Sequence, residues 1–221
     1  MNDNSSVGSG DPGRVRDRAF VRIGVLALQG AFREHRAALE RSGAVVVEVR
    51  RPEHLVGLEG LVIPGGESST IVKLMRSYGL DSAITAFAAA GGAVWGTCAG
   101  AIVVATHIDA FPDQPRLGLI DVAVARNAYG RQVASFEAAV AVVGWDQPFR
   151  AVFIRAPRIT SIGPGVEVLA RHAGDPVAVT SGTITATVFH PELGGDDRWH
   201  AAFVQRCADV AQARGSVAPS T

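Results

Sequence analysis

Between residues 93 and 102 an apolar run, Ala93-Val94-Trp95-Gly96-Thr97, breaks, presents a single cysteine, Cys98, and resumes as Ala99-Gly100-Ala101-Ile102. A strand that hands over to a helix within one residue makes a sharp, strained turn, and the backbone beside it must come close. Gly96 and Gly100 meet both demands because neither carries a Cβ. The segment therefore reads as a nucleophile elbow, a strand, a turn and a helix with one side chain raised between them. The thiol would lie at a helix N-terminus, where unpaired backbone N–H groups and the macrodipole favour the thiolate.

The segments before the elbow have matching organisation. Residues 21–28 are nearly continuous in apolar side chains, as expected of a central parallel strand buried on both faces. Residues 31–42 place Phe32, His35, Ala38 and Leu39 at helical spacing, with Gly43 where a C-cap glycine stands. A strand at 44–49, a polar connector at 50–59 and a strand at 61–63 follow. The last enters Pro64-Gly65-Gly66-Glu67-Ser68-Ser69-Thr70 and then a helix from Ile71. Two glycines between a strand and a helix suit either a tight turn or a backbone nest for an anion or oxyanion. An alanine-rich helix over 81–90 leads back to the elbow.

The order β-α-β-β-α-α-β-elbow-α predicts a doubly wound α/β sheet that binds ligands at the carboxyl ends of its strands. Both Gly65-Gly66 and Cys98 fall at such ends. We expect one three-layer domain of mostly parallel strands with helices on both faces. Shorter strands at 119–125, 136–143, 151–154, 166–171, 177–180 and 184–189 suggest antiparallel additions in the second half. A final helix at 197–213 puts Ala201, Val204, Ala208 and Val210 near one face.

Of 221 residues 48% are apolar, enough for one large core, and 21 basic residues balance 21 acidic ones. That balance supplies no electrostatic reason to expect nucleic acid or an anionic membrane as partner. No apolar run approaches the length of a membrane span, the N-terminus is polar, and Cys98 and Cys207 read as free thiols, so a cytoplasmic protein is expected. Cys207, in the final helix, reads as a packing residue. Composition assigns residues 1–20 to a disordered tail, 21–213 to the domain and 214–221 to a frayed end.

A thiolate nucleophile needs a base, and the base needs an orienting group. Phe189-His190-Pro191-Glu192 ends an apolar run, so His190 and Glu192 can project together from a strand end, with Glu192 fixing the imidazole tautomer. None of the other five histidines, His35 and His200 among them, combines a strand-end position with a carboxylate two residues on.

Gly96-Thr97-Cys98-Ala99-Gly100, the downstream His190-Pro191-Glu192 and the upstream Pro64-Gly65-Gly66-Glu67-Ser68 together resemble the class I, triad glutamine amidotransferases. More narrowly, the chain resembles the glutaminase subunits of pyridoxal 5′-phosphate synthase. Leu28-Gln29-Gly30, Arg50-Arg51-Pro52-Glu53, Arg126-Asn127, Tyr129-Gly130-Arg131-Gln132-Val133, Ser135-Phe136-Glu137 and Phe153-Ile154-Arg155-Ala156-Pro157 carry that likeness, across about residues 22 to 210.

The resemblance implies hydrolysis of L-glutamine to L-glutamate and ammonia by the triad Cys98, His190 and Glu192. It implies an oxyanion hole from the backbone N–H groups of Gly66 and Ala99, and a glutamine grip by Gly66, Glu67, Ser68, Arg126, Ile154 and Arg155. Arg126 is suited to pair in bidentate fashion with the α-carboxylate. Gln29 would couple the oxyanion loop to a partner, the synthase subunit that would build pyridoxal 5′-phosphate from a pentose phosphate and a triose phosphate. Neither cofactor nor metal is implied for this chain. Two other readings are a triad glutaminase of another pathway, such as histidine biosynthesis, and a noncatalytic glutamine-sensing module.

Overall fold

The computed structural model describes residues 20–126 and 135–216. Asn127, the motif 129–133, and residues 1–19 and 217–221 of the expected tails lie outside the described residues.

The first half alternates strands and helices: β1 (Arg22–Leu26), α1 (Phe32–Arg41), β2 (Val45–Val49), β3 (Gly60–Ile63), α2 (Ser68–Ser77), α3 (Leu80–Ala89), β4 (Ala93–Thr97) and α4 (Ala99–Val104). A single 3-10 turn, Pro52–Leu55, interrupts the polar connector after β2. The second half supplies β5 (Ala105–Asp109), β6 (Ile120–Ala125), β7 (Ser135–Val140), β8 (Phe149–Ile154), β9 (Arg158–Ile162), β10 (Glu167–His172), β11 (Asp175–Ser181) and β12 (Ile184–Thr187), then α5 (Arg198–Ser216).

Seven strands form the main sheet in the order β10-β11-β12-β4-β3-β1-β2. The pairs from β12 through β2 are parallel, and β10 and β11 add an antiparallel edge. β3, β4 and β12 are buried at every position, which is why their sequences carry no charge and are largely apolar, with the buried threonines Thr97, Thr185 and Thr187 among them. α1 packs beside α5, while α2 packs against α3 and α4. The expected mostly parallel sheet with flanking helices is the architecture observed.

Three elements depart from expectation. α4 is only six residues long and passes directly into β5, which has no glycine or proline before it to announce a strand. β5 pairs with β6 in parallel, so the small sheet β5-β6-β9 is mixed where we expected antiparallel additions. In α5 the buried face is Trp199, His200, Phe203 and Cys207, while Ala201 is exposed and Val204, Ala208 and Val210 are half-buried. Aromatic side chains bury more area than alanines, and this sets the helix's rotation.

One consequence of this topology positions the site. β12, β4, β3 and β1 are consecutive and parallel, so their carboxyl ends share one edge of the sheet. The chain leaving them carries, in spatial order, His190, Cys98, Gly65-Gly66 and Gln29.

Candidate active site

Cys98 stands between β4 and α4 with φ 49° and ψ −106°, a backbone conformation that costs a residue with a Cβ about 1–3 kcal/mol. Neighbouring strands hold it there. The Cys98 N–H donates to the Thr187 carbonyl at 2.8 Å, and Gly100 lies so close to the Ile63 carbonyl that a Cβ would collide with it. Sγ lies 3.8 Å from the Ile154 carbonyl at the end of β8.

Beyond β12 the chain continues through buried Val188 and Phe189 to His190, whose backbone N–H donates to the Val152 carbonyl at 2.8 Å. Its Nδ1 lies 2.8 Å from Glu192 Oε1. Burial pushes the His190 imidazole down, but the Cys98 side chain and the Glu192 carboxylate outweigh this and raise it to about 10. Burial likewise pushes the Glu192 carboxyl up, and His35 and His190 beside it more than compensate, holding it below the usual carboxylate range. The site thus favours an imidazolium held between the Cys98 side chain and the Glu192 carboxylate.

The oxyanion loop packs directly on this pair. A Cβ on Gly65 would stand 2.6 Å from His190 Cε1 and 3.3 Å from Cys98 Cβ, so only glycine fits. The Gly65 carbonyl accepts from the Ala31 N–H at 3.2 Å, and a trans peptide then turns the Gly66 N–H away from Ala31. Gln29 Oε1 accepts from the Glu67 N–H at 2.9 Å, tying the β1 loop to the β3 loop. Glu67 caps α2 through the Thr70 N–H at 2.7 Å. Burial raises its carboxyl, yet the Ser69 and Thr70 hydroxyls and the Thr70 amide hold it at about 2.

Across the cavity Arg126, at the end of β6, donates to Glu67 Oε1 at 3.0 Å and to Gln114 Oε1, and its guanidinium lies 5.0 Å from the Phe111 ring centre. Gln114 Nε2 in turn donates to Ser68 Oγ at 3.2 Å. Arg155 follows β8 with a left-handed φ of 44°.

A cavity of about 430 Å³ is lined by Gln29, Gly66, Glu67, Ser68, Cys98, Ala99, Arg126, Ile154, Arg155 and His190. Every site residue expected from the sequence is therefore in one place, with Glu192 behind His190. A larger groove of about 540 Å³ beside α2 holds neither cysteine nor histidine. Among the described residues no three His, Cys, Asp or Glu side chains cluster as metal ligands do.

Two residues escaped the sequence reading. Gln114 sits in an irregular loop with no motif to mark it. His35 is fully buried on α1, with Nε2 3.3 Å from Glu192 Oε2 and 3.0 Å from Thr97 Oγ1. In the sequence it is one more position on a helix's apolar face.

A cysteine raised on a strand–helix elbow, beside a histidine held by a carboxylate and facing a pocket that contains arginine, defines a thiol-dependent amide hydrolase or acyl transferase of the α/β class. By sequence the chain belongs to the SNO glutamine amidotransferase family, whose pattern matches residues 25–209.

It is 54% identical over 188 residues to the pyridoxal 5′-phosphate synthase subunit PdxT of Deinococcus radiodurans, covering 83% of this chain and 96% of that protein. The subunit of the same name from Acidothermus cellulolyticus is 54% identical over 200 residues, covering 87% and 96%. A crystal structure of a glutamine amidotransferase superposes with a TM-score of 0.81 at 51% identity, over 84% of this chain and 98% of that one. PurLQS from Thermotoga maritima, at 18% identity and a TM-score of 0.62 over 89% and 98%, shares the fold alone.

Proposed function

We propose that this protein is the glutaminase subunit of a pyridoxal 5′-phosphate synthase, hydrolysing L-glutamine and passing ammonia to a synthase subunit. The observation that carries the reading is the convergence of Cys98, His190, Glu192 and the Gly65-Gly66 loop from adjacent strand ends, in a chain more than half identical to PdxT subunits.

Cys98 Sγ attacks the side-chain carboxamide carbon, and the backbone N–H groups of Gly66 and Ala99 receive the oxyanion. His190 gives its proton to the leaving nitrogen, releasing ammonia and leaving a γ-glutamyl thioester. His190 then takes a proton from water, which attacks the thioester; glutamate leaves and the thiolate returns. Glu192 keeps the imidazole oriented throughout. Arg126 turns from Glu67 to the glutamine α-carboxylate while Gln114 keeps hold of its guanidinium, and Ser68, Ile154 and Arg155 complete the grip.

Gln29, bonded to the Glu67 N–H, links the oxyanion loop to the docked synthase. We take residues 21–213 as the catalytic domain, a span that contains the whole family match. No described helix is long and apolar enough to cross a membrane. We assign the protein to the cytoplasm, a reading that the free thiols Cys98 and Cys207 support.

The test is glutamate release from glutamine with and without a purified pyridoxal phosphate synthase subunit. Cys98→Ala is expected to lose turnover by a factor of about 10⁴ or more. Stimulation by a histidine-pathway synthase in place of the vitamin synthase would overturn the choice of partner.

A further inference from the structure

The hydrolysis steps leave a chain of buried polar groups behind the triad without a role. Glu192 presents Oε1 to His190, but its Oε2 is buried and accepts no well-aligned hydrogen bond among the described residues. His35 Nε2 stands 3.3 Å from it. On the far side of that ring, His35 Nδ1 lies 3.0 Å from His200 Nε2, and His200 Nδ1 is buried with no partner among the described residues. His35 and His200 are both fully buried.

We propose that His35 is a positioning residue of the triad, directing its Nε2–H to the Glu192 carboxylate while that carboxylate orients His190. The proposal rests on the glutaminase reading above and extends it by one residue, from a helix that carries no part of the triad.

The tautomers support this assignment. Burial holds His35 down as a neutral ring and pushes His200 down to about 3, so each carries a single N–H. A bare Nε2 on His35 would set its lone pair against a carboxylate oxygen at 3.3 Å, so the proton belongs on Nε2. Nδ1 of His35 is then an acceptor, and the donor to it is His200 Nε2. This leaves His200 Nδ1 as a bare nitrogen, which needs no acceptor, and one tautomer set accounts for every contact in the chain.

Thr97 Oγ1, 3.0 Å from the same Nε2 and better aligned with it, shares that N–H with the Glu192 oxygen 3.3 Å away and steadies the ring one residue before the nucleophile. Trp95 meets His35 edge-on, with ring centres 5.7 Å apart, and likewise meets His200 at 5.2 Å. Packing alone would be satisfied by an apolar ring at position 35; a donor aimed at a carboxylate is not needed for it.

Nitrogen NMR of the histidine side chains in the wild-type protein is the first test. Neutral Nε2–H tautomers for His35 and His200 are expected, and a bare Nε2 on His35 overturns the proposal. The second test compares His35→Phe with His35→Gln, whose amide keeps an N–H near the same place. Both are assayed for glutamine hydrolysis with the synthase subunit and for the rate of Cys98 alkylation by iodoacetamide without it.

His35→Phe is expected to lower kcat about tenfold with KM nearly unchanged and to slow alkylation several-fold, while His35→Gln recovers most of both. Wild-type kcat and alkylation in His35→Phe, or equal impairment in His35→Gln, overturns the role. Wild-type protein that alkylates rapidly but hydrolyses no glutamine overturns the glutaminase reading instead, and the alkylation rates still judge His35. If His35→Phe does not fold, the wild-type tautomers decide.

Discussion

His190 is raised to about 10 by the Cys98 side chain and Glu192 against the opposing effect of burial, and that shift links the site to stability. A cationic group whose folded value lies above its ordinary 6.5 stabilises the fold fully below 6.5, and the contribution disappears as pH rises through about 10. Urea unfolding of wild type and His190→Gln should therefore differ most at or below pH 6.5 and converge by pH 10. A gap that held constant or widened across that range would refute the imidazolium assignment. Gln114 gives a separate prediction at the same scale. It binds both Arg126 and Ser68, so Gln114→Ala frees two side chains of the proposed glutamine grip. KM for glutamine should rise by roughly fivefold to tenfold, with kcat little altered, since about one hydrogen bond's worth of order is lost before binding. A fall in kcat at constant KM would show that Gln114 acts on the chemistry and not on the grip.

Among the elements, the elbow is the most tightly constrained. α4 packs on β4 with Gly100 against the Ile63 carbonyl, a backbone atom at the end of β3 that cannot swing aside as a side chain can. Gly100→Ala should accordingly cost about 1–3 kcal/mol in urea unfolding, despite alanine's better helix propensity, because the added methyl forces α4 off the sheet. Unchanged or greater stability would mean that the elbow is looser than its geometry implies. The same crowding explains why the oxyanion loop is glycine at Gly65, where His190 and Cys98 leave no space for a side chain. α1 serves both ends of the site. The Ala31 N–H just before it holds the Gly65 carbonyl, and His35 one turn later meets Glu192.

For the molecule as a whole, the parallel run β12-β4-β3-β1 makes the sheet edge into the site, and the remaining strands bring the other wall. β6 delivers Arg126 and β8 delivers Ile154 and Arg155, each from outside the main sheet. The two thiols report on this whole arrangement. Cys98 lines the cavity, whereas Cys207 on α5 is fully buried beneath Gly60 of β3, and burial pushes its thiol far up. Titration with a thiol reagent at neutral pH should find one reactive cysteine in the native protein and a second only in denaturant. Two fast-reacting thiols in the native state would contradict the packing of α5 on the sheet.

The strand-to-helix elbow, the Gly65-Gly66 turn and the His190–Glu192 pair were readable in the sequence because each depends on neighbours within a few residues, where glycine placement and periodicity speak directly. The buried parallel strands were equally legible, since burial on both faces demands runs without charge and rich in apolar side chains. Local pattern could not separate β5 from α4, with no breaker between Val104 and Ala105, nor choose the buried face of α5 among several apolar phases. Gln114 and His35 were invisible for a further reason. Their partners lie 12 and 157 residues away, in Arg126 and Glu192, and polar contacts between separate segments follow from how the sheet closes on its helices. Sequence alone determined which residue types could do the chemistry; tertiary structure decided which buried imidazole stands behind the carboxylate.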